Sequence, residues 1–255
     1  MITQANLPAL LTALGFSNRA TRYTKTLGAA TLEIDIAKQA ITYPEAQCVV
    51  IHERQTCNFS ASENFVVFEC VHRLLEKGYK PEHIELEPKW KLGHGASGGR
   101  ADILVKDNED RPLLIIECKT AGSEFTRAWN KTLQHGDQLF SYAQQIPATQ
   151  FLCLYASDFG DGALTYSSHV VAHRDNPKYL ADNPHFKSFK DATDVKERYA
   201  VWRDTYKRDY TTKGIFETNI QPYHIGKDKY SLADLHAISA AGQQKKYHEF
   251  ATILR

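Results

Sequence analysis

Residues 101–120, ADILVKDNEDRPLLIIECKT, constrain this chain more than any other stretch. Two apolar runs flank the polar segment KDNEDRP, whose Asn, Asp and Pro are turn formers, so the sequence predicts a hairpin of two strands. Alternate side chains of a strand share a face. Leu113, Ile115, Glu117 and Lys119 therefore share one face of the second strand, with Leu114, Ile116 and Cys118 on the other. In the first strand Asp102, Leu104 and Lys106 share a face, and if Val105 faces Leu114 then Asp102 stands opposite Glu117. Two carboxylates so placed repel by about 0.2 to 1 kcal/mol when exposed and by more when buried, so a cation belongs between them. Lys119 supplies one as an ordinary strand-end ion pair. A divalent ion is the other reading: Mg²⁺ prefers hard carboxylate oxygens and completes its octahedron with water and substrate phosphate, leaving Lys119 to orient or deprotonate a water.

The elements around this hairpin follow from periodicity. Residues 5–15 carry Leu7, Leu10, Leu11 and Leu14 on one helical face before Gly15. AATLEIDIAKQAITY alternates Leu32, Ile34 and Ile36 with polar neighbours, and with the later run QCVVIHER it predicts a small hairpin or sheet extension. SASENFVVFECVHRLLEKGY is the strongest helix, with Ser60 or Ser62 as cap, Val66, Val67, Cys70, Val71 and Leu74 as its stripe, and Gly78 as its end. HIELEPKWKLG reads as a strand interrupted by Pro88, HGDQLFSYAQQI as a helix, TQFLCLYAS as a buried strand and ALTYSSHVVAH as another after DFGDG. The core order is helix, three strands, helix, strand, which predicts an α/β fold.

Composition narrows the class. With 24% charged and 42% hydrophobic residues and a net charge of +1, the chain is globular in type, and a uniformly basic nucleic-acid coat is excluded while a local basic groove is not. The five cysteines, Cys48, Cys57, Cys70, Cys118 and Cys153, have no CxxC spacing, so neither a disulfide framework nor a structural zinc site is expected. The N-terminus lacks the pattern of a signal peptide and no segment has the apolar length of a membrane span, so a cytoplasmic protein with no membrane partner is expected.

Asp102 followed at Glu117 by Glu-x-Lys resembles the PD-(D/E)XK nuclease superfamily, with Ala101 standing where the leading Pro would be. QLFSY supplies Gln138 and Tyr142 as Q-x-x-x-Y, which is similar to an additional motif of type I restriction subunits and of the RecB-like group. Residues four apart on a helix face one way, so the pair can act on one point. Glu63 resembles the acidic residue that many members bring from an earlier helix to the metal; its other reading is a partner for the helix dipole, and Glu69 is a substitute.

The resemblance covers about residues 60–175. It implies a restriction-endonuclease-like core with a mixed central sheet flanked by helices. It implies a Mg²⁺-dependent endodeoxyribonuclease domain of a restriction-modification enzyme, with Mn²⁺ able to substitute. Asp102, Glu117 and Glu63 would hold the metal, Lys119 would act on the attacking water, and Gln138 and Tyr142 would position the phosphate. The implied partners are double-stranded DNA and helicase, translocase, methyltransferase or specificity modules in the same or partner chains. A non-catalytic DNA-binding or assembly module, or a repair nuclease acting on ends or branched DNA, is the alternative.

The glycine-rich GHGASGG permits close backbone approach to a phosphate, and Arg100, Lys91, Gly98 and Gly99 are candidate DNA contacts; a solvated charged turn is the plainer reading of the cations. The chain thus divides into 1–58, an N-terminal helix and small β extension; 59–175, the nuclease core; and 176–255, a charged, aromatic, mainly helical subregion. In that last region Tyr199, Trp202, Tyr206 and Tyr210 recur at helical spacing, which suggests core packing rather than base stacking, and the end of the chain suggests continuation into further domains.

Overall fold

The computed structural model describes residues 1–89, 99–146, 148–172, 224–225 and 228–229. The expectations for the subregion 176–255, and those for Lys91 and Gly98, therefore lie outside the described residues, apart from a short antiparallel ribbon pairing His224–Ile225 with Asp228–Lys229.

Helix α1, Leu7–Ala13, begins with Pro8 in its first turn, where a missing N–H costs nothing, and buries Leu7, Leu10 and Leu11. Gly15, at φ +78°, lets the chain reverse into strand β1, Ser17–Arg19. Strands β2, Arg22–Leu27, β3, Ala30–Asp35, and β4, Ala40–Thr42, complete a four-stranded antiparallel sheet in sequence order. Leu32 and Ile34 are buried as the alternation in β3 requires. The apolar run QCVVIHER does not join this sheet. Its strand β5, Val50–Ile51, pairs in parallel with β6, Ile84–Leu86, as the edge of a second sheet.

Helix α2, Glu63–Glu76, lies between β5 and β6 in sequence. Ser62 occupies its N-cap position with helical backbone angles and no side-chain capping bond. The start of the helix is held instead by Asn64, whose amide donates to the carbonyls of Gln55 (2.8 Å) and Asn58 (2.9 Å). Gly78, at φ +93°, takes the left-handed conformation just beyond its end.

The opening hairpin forms as read. Strand β7, Ile103–Lys106, pairs antiparallel with β8, Pro112–Cys118, and Val105 faces Leu114. Its turn is fastened by Asp107, whose carboxylate accepts from the backbone N–H groups of Glu109 and Arg111 and from Arg111 Nε. Two helices follow where one was expected: α3, Ser123–His135, and α4, Asp137–Gln145, with Gly136 at φ +85° between them. Strands β9, Phe151–Gly160, and β10, Ala163–Ala172, form a long hairpin whose two-residue turn, Asp161 and Gly162, has the positive φ angles (52° and 74°) of a twist-matched connection.

The second sheet runs β10-β9-β8-β7-β6-β5, with β8 parallel to β9, β5 parallel to β6 and the other pairs antiparallel. It is the mixed, helix-flanked α/β sheet that the sequence implied. Its two faces carry separate cores. Ile103, Val105, Leu114, Ile116, Cys153 and Tyr155 pack with α2 and with Leu7, Leu32 and Ile34 of the N-terminal elements. Leu104, Ile115, Leu152 and Leu154 pack with Phe125, Leu139, Phe140 and Tyr142 of the α3–α4 layer. Strand β8 is thus buried on both sides, which is why it reads as a continuous apolar run, and each fully buried leucine or isoleucine there contributes about 1.5 to 3 kcal/mol.

Two polar groups are fixed within the first core. Glu69 is fully buried and accepts from the Tyr155 hydroxyl (2.6 Å) and Arg73 Nε (3.0 Å), while the Arg73 guanidinium lies 3.8 Å from the centroid of the Tyr166 ring. Lys25 of β2 crosses to α2, where its ammonium donates to the Leu14 carbonyl (2.6 Å) and His72 Nε2 (2.8 Å) and pairs with Glu76 (3.2 Å). This contact ties the four-stranded sheet to the helix. No helix among the described residues is long and apolar enough to cross a membrane.

Candidate active site

The register that pairs Ile103 with Ile116 brings Asp102, one residue earlier, alongside the end of β8, where its Oδ2 accepts the Cys118 N–H at 2.7 Å. Glu117 lies within the last turn of the pleat and is almost wholly buried. Lys119 has just left the strand, but its N–H donates to the Tyr155 carbonyl at 2.8 Å and so continues the parallel pairing with β9. That bond sets the direction of the lysine side chain. Its ammonium donates to Glu117 Oε1 at 2.6 Å and to Glu63 Oε1, at the first turn of α2, at 2.8 Å. Three carboxylates and one ammonium thus meet where the sheet and the start of α2 converge, and the three acidic residues singled out in the sequence are brought together.

Burial decides the electrostatics. Desolvation raises the Asp102 carboxyl well above the ordinary carboxylate range, and the charges of Glu117 and Glu63 raise it further against the opposing pull of the Cys118 N–H and Lys119. Glu117 is also raised, by burial first, although Lys119 acts the other way. Lys119 loses hydration on burial, but the two carboxylates more than offset this and push its pKa up, so it is firmly an ammonium. One lysine does not complete this site. The Tyr142 hydroxyl bears on the Glu117 carboxylate, yet Glu117 Oε2 is buried without a hydrogen bond of good geometry, and such an oxygen ordinarily costs about 1 to 3 kcal/mol.

That poorly bonded oxygen, two hard carboxylates and their mutual repulsion fit a divalent cation. Among the described residues no three of His, Cys, Asp and Glu form a ready-made cage. Asp102 and Glu117 make a two-carboxylate arrangement, which suits Mg²⁺, an ion that keeps water and substrate oxygens in its shell.

Tyr142 of α4 is buried against the same acidic pair. Burial and the charges of Glu117 and Asp102 push its phenol far up, so it is a neutral hydroxyl. Gln138, one helical turn earlier and exposed, donates from Nε2 to the Tyr142 hydroxyl at 3.4 Å, so the two residues do face one point. Gly99 packs against Tyr142 and Gln145. A Cβ there would stand 3.0 Å from Tyr142 Cε1 and 2.8 Å from Gln145 Nε2, so its lack of a side chain makes room for the tyrosine.

Glu63 to Ala156 spans every one of these acidic and motif residues, and comparison with protein families gives that span a family. Residues 63–156 match the type I restriction enzyme R protein N terminus (HSDR_N). The resemblance to restriction nucleases read from Asp102, Glu117, Lys119, Gln138 and Tyr142 is borne out at the level of the family, and the matched segment is similar to a restriction-enzyme nuclease-like domain. No curated protein matches the chain.

Around this domain, sequence reasoning missed several residues. Tyr155 aligns Lys119 through its carbonyl, and Thr120 donates its hydroxyl to Glu124, fastening the turn that follows Lys119 onto α3. Neither could be found from spacing, because the first needs the β8–β9 register and the second needs α3. Arg100 stands beside the site but is not a bare cation: its Nη1 pairs with Glu53 Oε2 at 3.0 Å. Lys89, which bridges to Arg100 across the backbone, pairs with Glu53 Oε1.

Proposed function

We propose that this chain carries a Mg²⁺-dependent endodeoxyribonuclease domain of a restriction-modification enzyme, with double-stranded DNA as substrate. The observation that carries the reading is the convergence of Asp102, Glu117 and Lys119 at the end of one hairpin, with a buried Glu117 oxygen left without a hydrogen bond of good geometry. Asp102 and Glu117 would hold the ion, which when bound supplies Lewis-acid polarisation of the phosphate and a water of lowered pKa. Glu117 and Glu63 together hold the lysine in its charged form.

As an ammonium clamped by Glu63 and Glu117, Lys119 orients the attacking water and offsets phosphate charge; it does not take the proton. Tyr142 presents a neutral hydroxyl toward the acidic pair, and Gln138, bonded to that hydroxyl, directs it at a phosphate oxygen. Helicase, translocase, methyltransferase or specificity modules are the partners this function calls for, and the cytoplasm is its compartment.

The test is cleavage of supercoiled plasmid by the chain in Mg²⁺ with and without chelator, alongside Lys119→Ala. The expected result is cutting that requires the ion and falls at least about a hundredfold without the lysine. Cutting in chelator, or undiminished cutting by Lys119→Ala, would overturn the mechanism. Salt-sensitive duplex binding with no cutting in either Mg²⁺ or Mn²⁺ would favour a non-catalytic binding module.

A further inference from the structure

Glu53 has no place in the site just described, yet it receives two cations from the strand ends beside it. Its Oε2 lies 3.0 Å from Arg100 Nη1, its Oε1 contacts the Lys89 ammonium, and the Gln55 amide donates to Oε2 at 3.4 Å. Lys89 and Arg100 are themselves neighbours across an antiparallel bridge. One carboxylate between two cations leaves a net charge of +1, so the carboxylate gathers the positive charge without cancelling it. The three side chains keep from about a quarter to a half of their surface in solvent: 28% for Glu53, 32% for Arg100 and 54% for Lys89. Arg100 follows Gly99, which packs on Tyr142, and its charge reaches the Tyr142 phenol. Arg100, with Lys89 beside it, therefore lies close to Tyr142 and the acidic centre.

We propose that Lys89 and Arg100 form a subsite for the DNA phosphodiester backbone and that Glu53 is its positioning residue. The carboxylate holds two flexible cations side by side, so that less rotamer freedom is lost when a phosphate arrives between them. The planar guanidinium retains donors beyond the one that Glu53 takes, and these are available to a phosphate. This rests on the reading of the chain as a DNA-cleaving domain, and it adds a second contact point, separate from the metal, that fixes the register of the strand at Tyr142.

The discriminating variant is Glu53→Gln. Removing a negative charge beside DNA should by simple electrostatics tighten binding, whereas loss of a positioning carboxylate weakens it. The full chain, in chelator to prevent cutting, is titrated by fluorescence anisotropy into a labelled duplex of about 20 base pairs over a range of salt. We expect Glu53→Gln to weaken binding roughly three- to tenfold, and Arg100→Gln to weaken it by more and to make the log–log salt slope shallower by about 0.9. In the Arg100→Gln background, Glu53→Gln should add little. Lys89→Gln, at an exposed side chain on which no core depends, should also make the slope shallower.

Binding by Glu53→Gln that equals or exceeds that of the parent chain overturns the inference, as does an equal loss in both backgrounds accompanied by a lowered Tm, which marks a structural role only. If the parent chain cuts plasmid in a metal- and Lys119-dependent way while Glu53→Gln binds normally, only this inference falls. If the parent chain neither cuts nor binds duplex, the functional reading falls with it.

Discussion

Lys119 spans from the end of β8 to Glu63 at the first turn of α2, 56 residues earlier in sequence, with 2.8 Å between ammonium and carboxylate oxygen. The bond joins the hairpin that carries the acidic pair to the helix beneath it, so one contact adds both to the charged state of the lysine and to the anchoring of the first turn of α2.

Asp102→Asn should abolish metal-dependent cutting and stabilise the fold. A carboxyl raised by burial and by its acidic neighbours binds its proton more tightly in the folded chain than in the unfolded one. Its contribution to stability therefore declines as pH rises from the ordinary carboxylate range through the raised value, and the full penalty is present above it. Asparagine removes the charge and can still accept the Cys118 N–H. A Tm increase of a few degrees at pH 7 is expected by calorimetry, at about 2 to 4 °C per kcal/mol for a chain of this size. An unchanged or lowered Tm would contradict it.

Gly99→Ala should impair cutting far more than folding. The added methyl group meets the Tyr142 ring at 3.0 to 3.2 Å and the Gln145 amide at 2.8 Å, so the ring must give by a few tenths of an ångström while the amide swings aside. A misplacement on the order of 1 Å costs up to about a hundredfold in rate, and the smaller shift of the proposed phosphate-positioning group costs correspondingly less. Plasmid cutting and thermal melting, measured together, check it: activity should fall at least about tenfold for less than about 1 kcal/mol of stability.

Acid should unfold the protein through His72. Burial is the main reason its pKa falls to about 4, with Lys25 adding to it and Glu76 opposing. Its Nε2 accepts the Lys25 ammonium, so the native ring is neutral with its proton on Nδ1. The unfolded chain takes up a proton near pH 6.5 and the folded chain only near 4, so the stability that His72 contributes is present above pH 6.5 and is lost between 6.5 and 4. The ceiling is about 3 kcal/mol. Denaturant titrations across that range should show the slope, and His72→Gln should flatten it.

Glu69→Ala should destabilise the fold by about 3 to 5 kcal/mol, because it leaves the Arg73 guanidinium, with only 13% of its side-chain surface exposed, without its carboxylate and removes the acceptor of the Tyr155 hydroxyl. Urea denaturation gives the number directly. A loss below about 1 kcal/mol would mean that the pair is dispensable.

The hairpin was legible because three local signals agree: alternation in LLIIECKT, turn formers in KDNEDRP, and a register set by Val105 and Leu114. Asp102, Glu117 and Lys119 follow from that register, whereas Gln138 and Tyr142 came from the resemblance of QLFSY to a family motif, with helical spacing saying only that they face one way. Helix α3 was hidden by its polar composition, although Phe125 and Thr132, buried, and Ala128 and Trp129, partly buried, make its inward stripe. Strands β1 and β2 were hidden because SNR and RYTKTL are mostly exposed and show no apolar alternation beyond Tyr23. Glu53 could not be matched with Arg100 from sequence, since 47 residues, helix α2 and strand β6 among them, separate the two and no periodicity reports such a pairing.

Strand β8 has a neighbour on each side, β7 antiparallel and β9 parallel, and cores above and below. Its amides should therefore exchange with deuterated solvent only when the whole sheet opens, while α4 and the Asp161–Gly162 turn exchange sooner. Heat would then remove the acidic pair in a single cooperative step, and under the proposed nuclease function a warmed sample would lose active molecules one by one while each survivor keeps its full turnover.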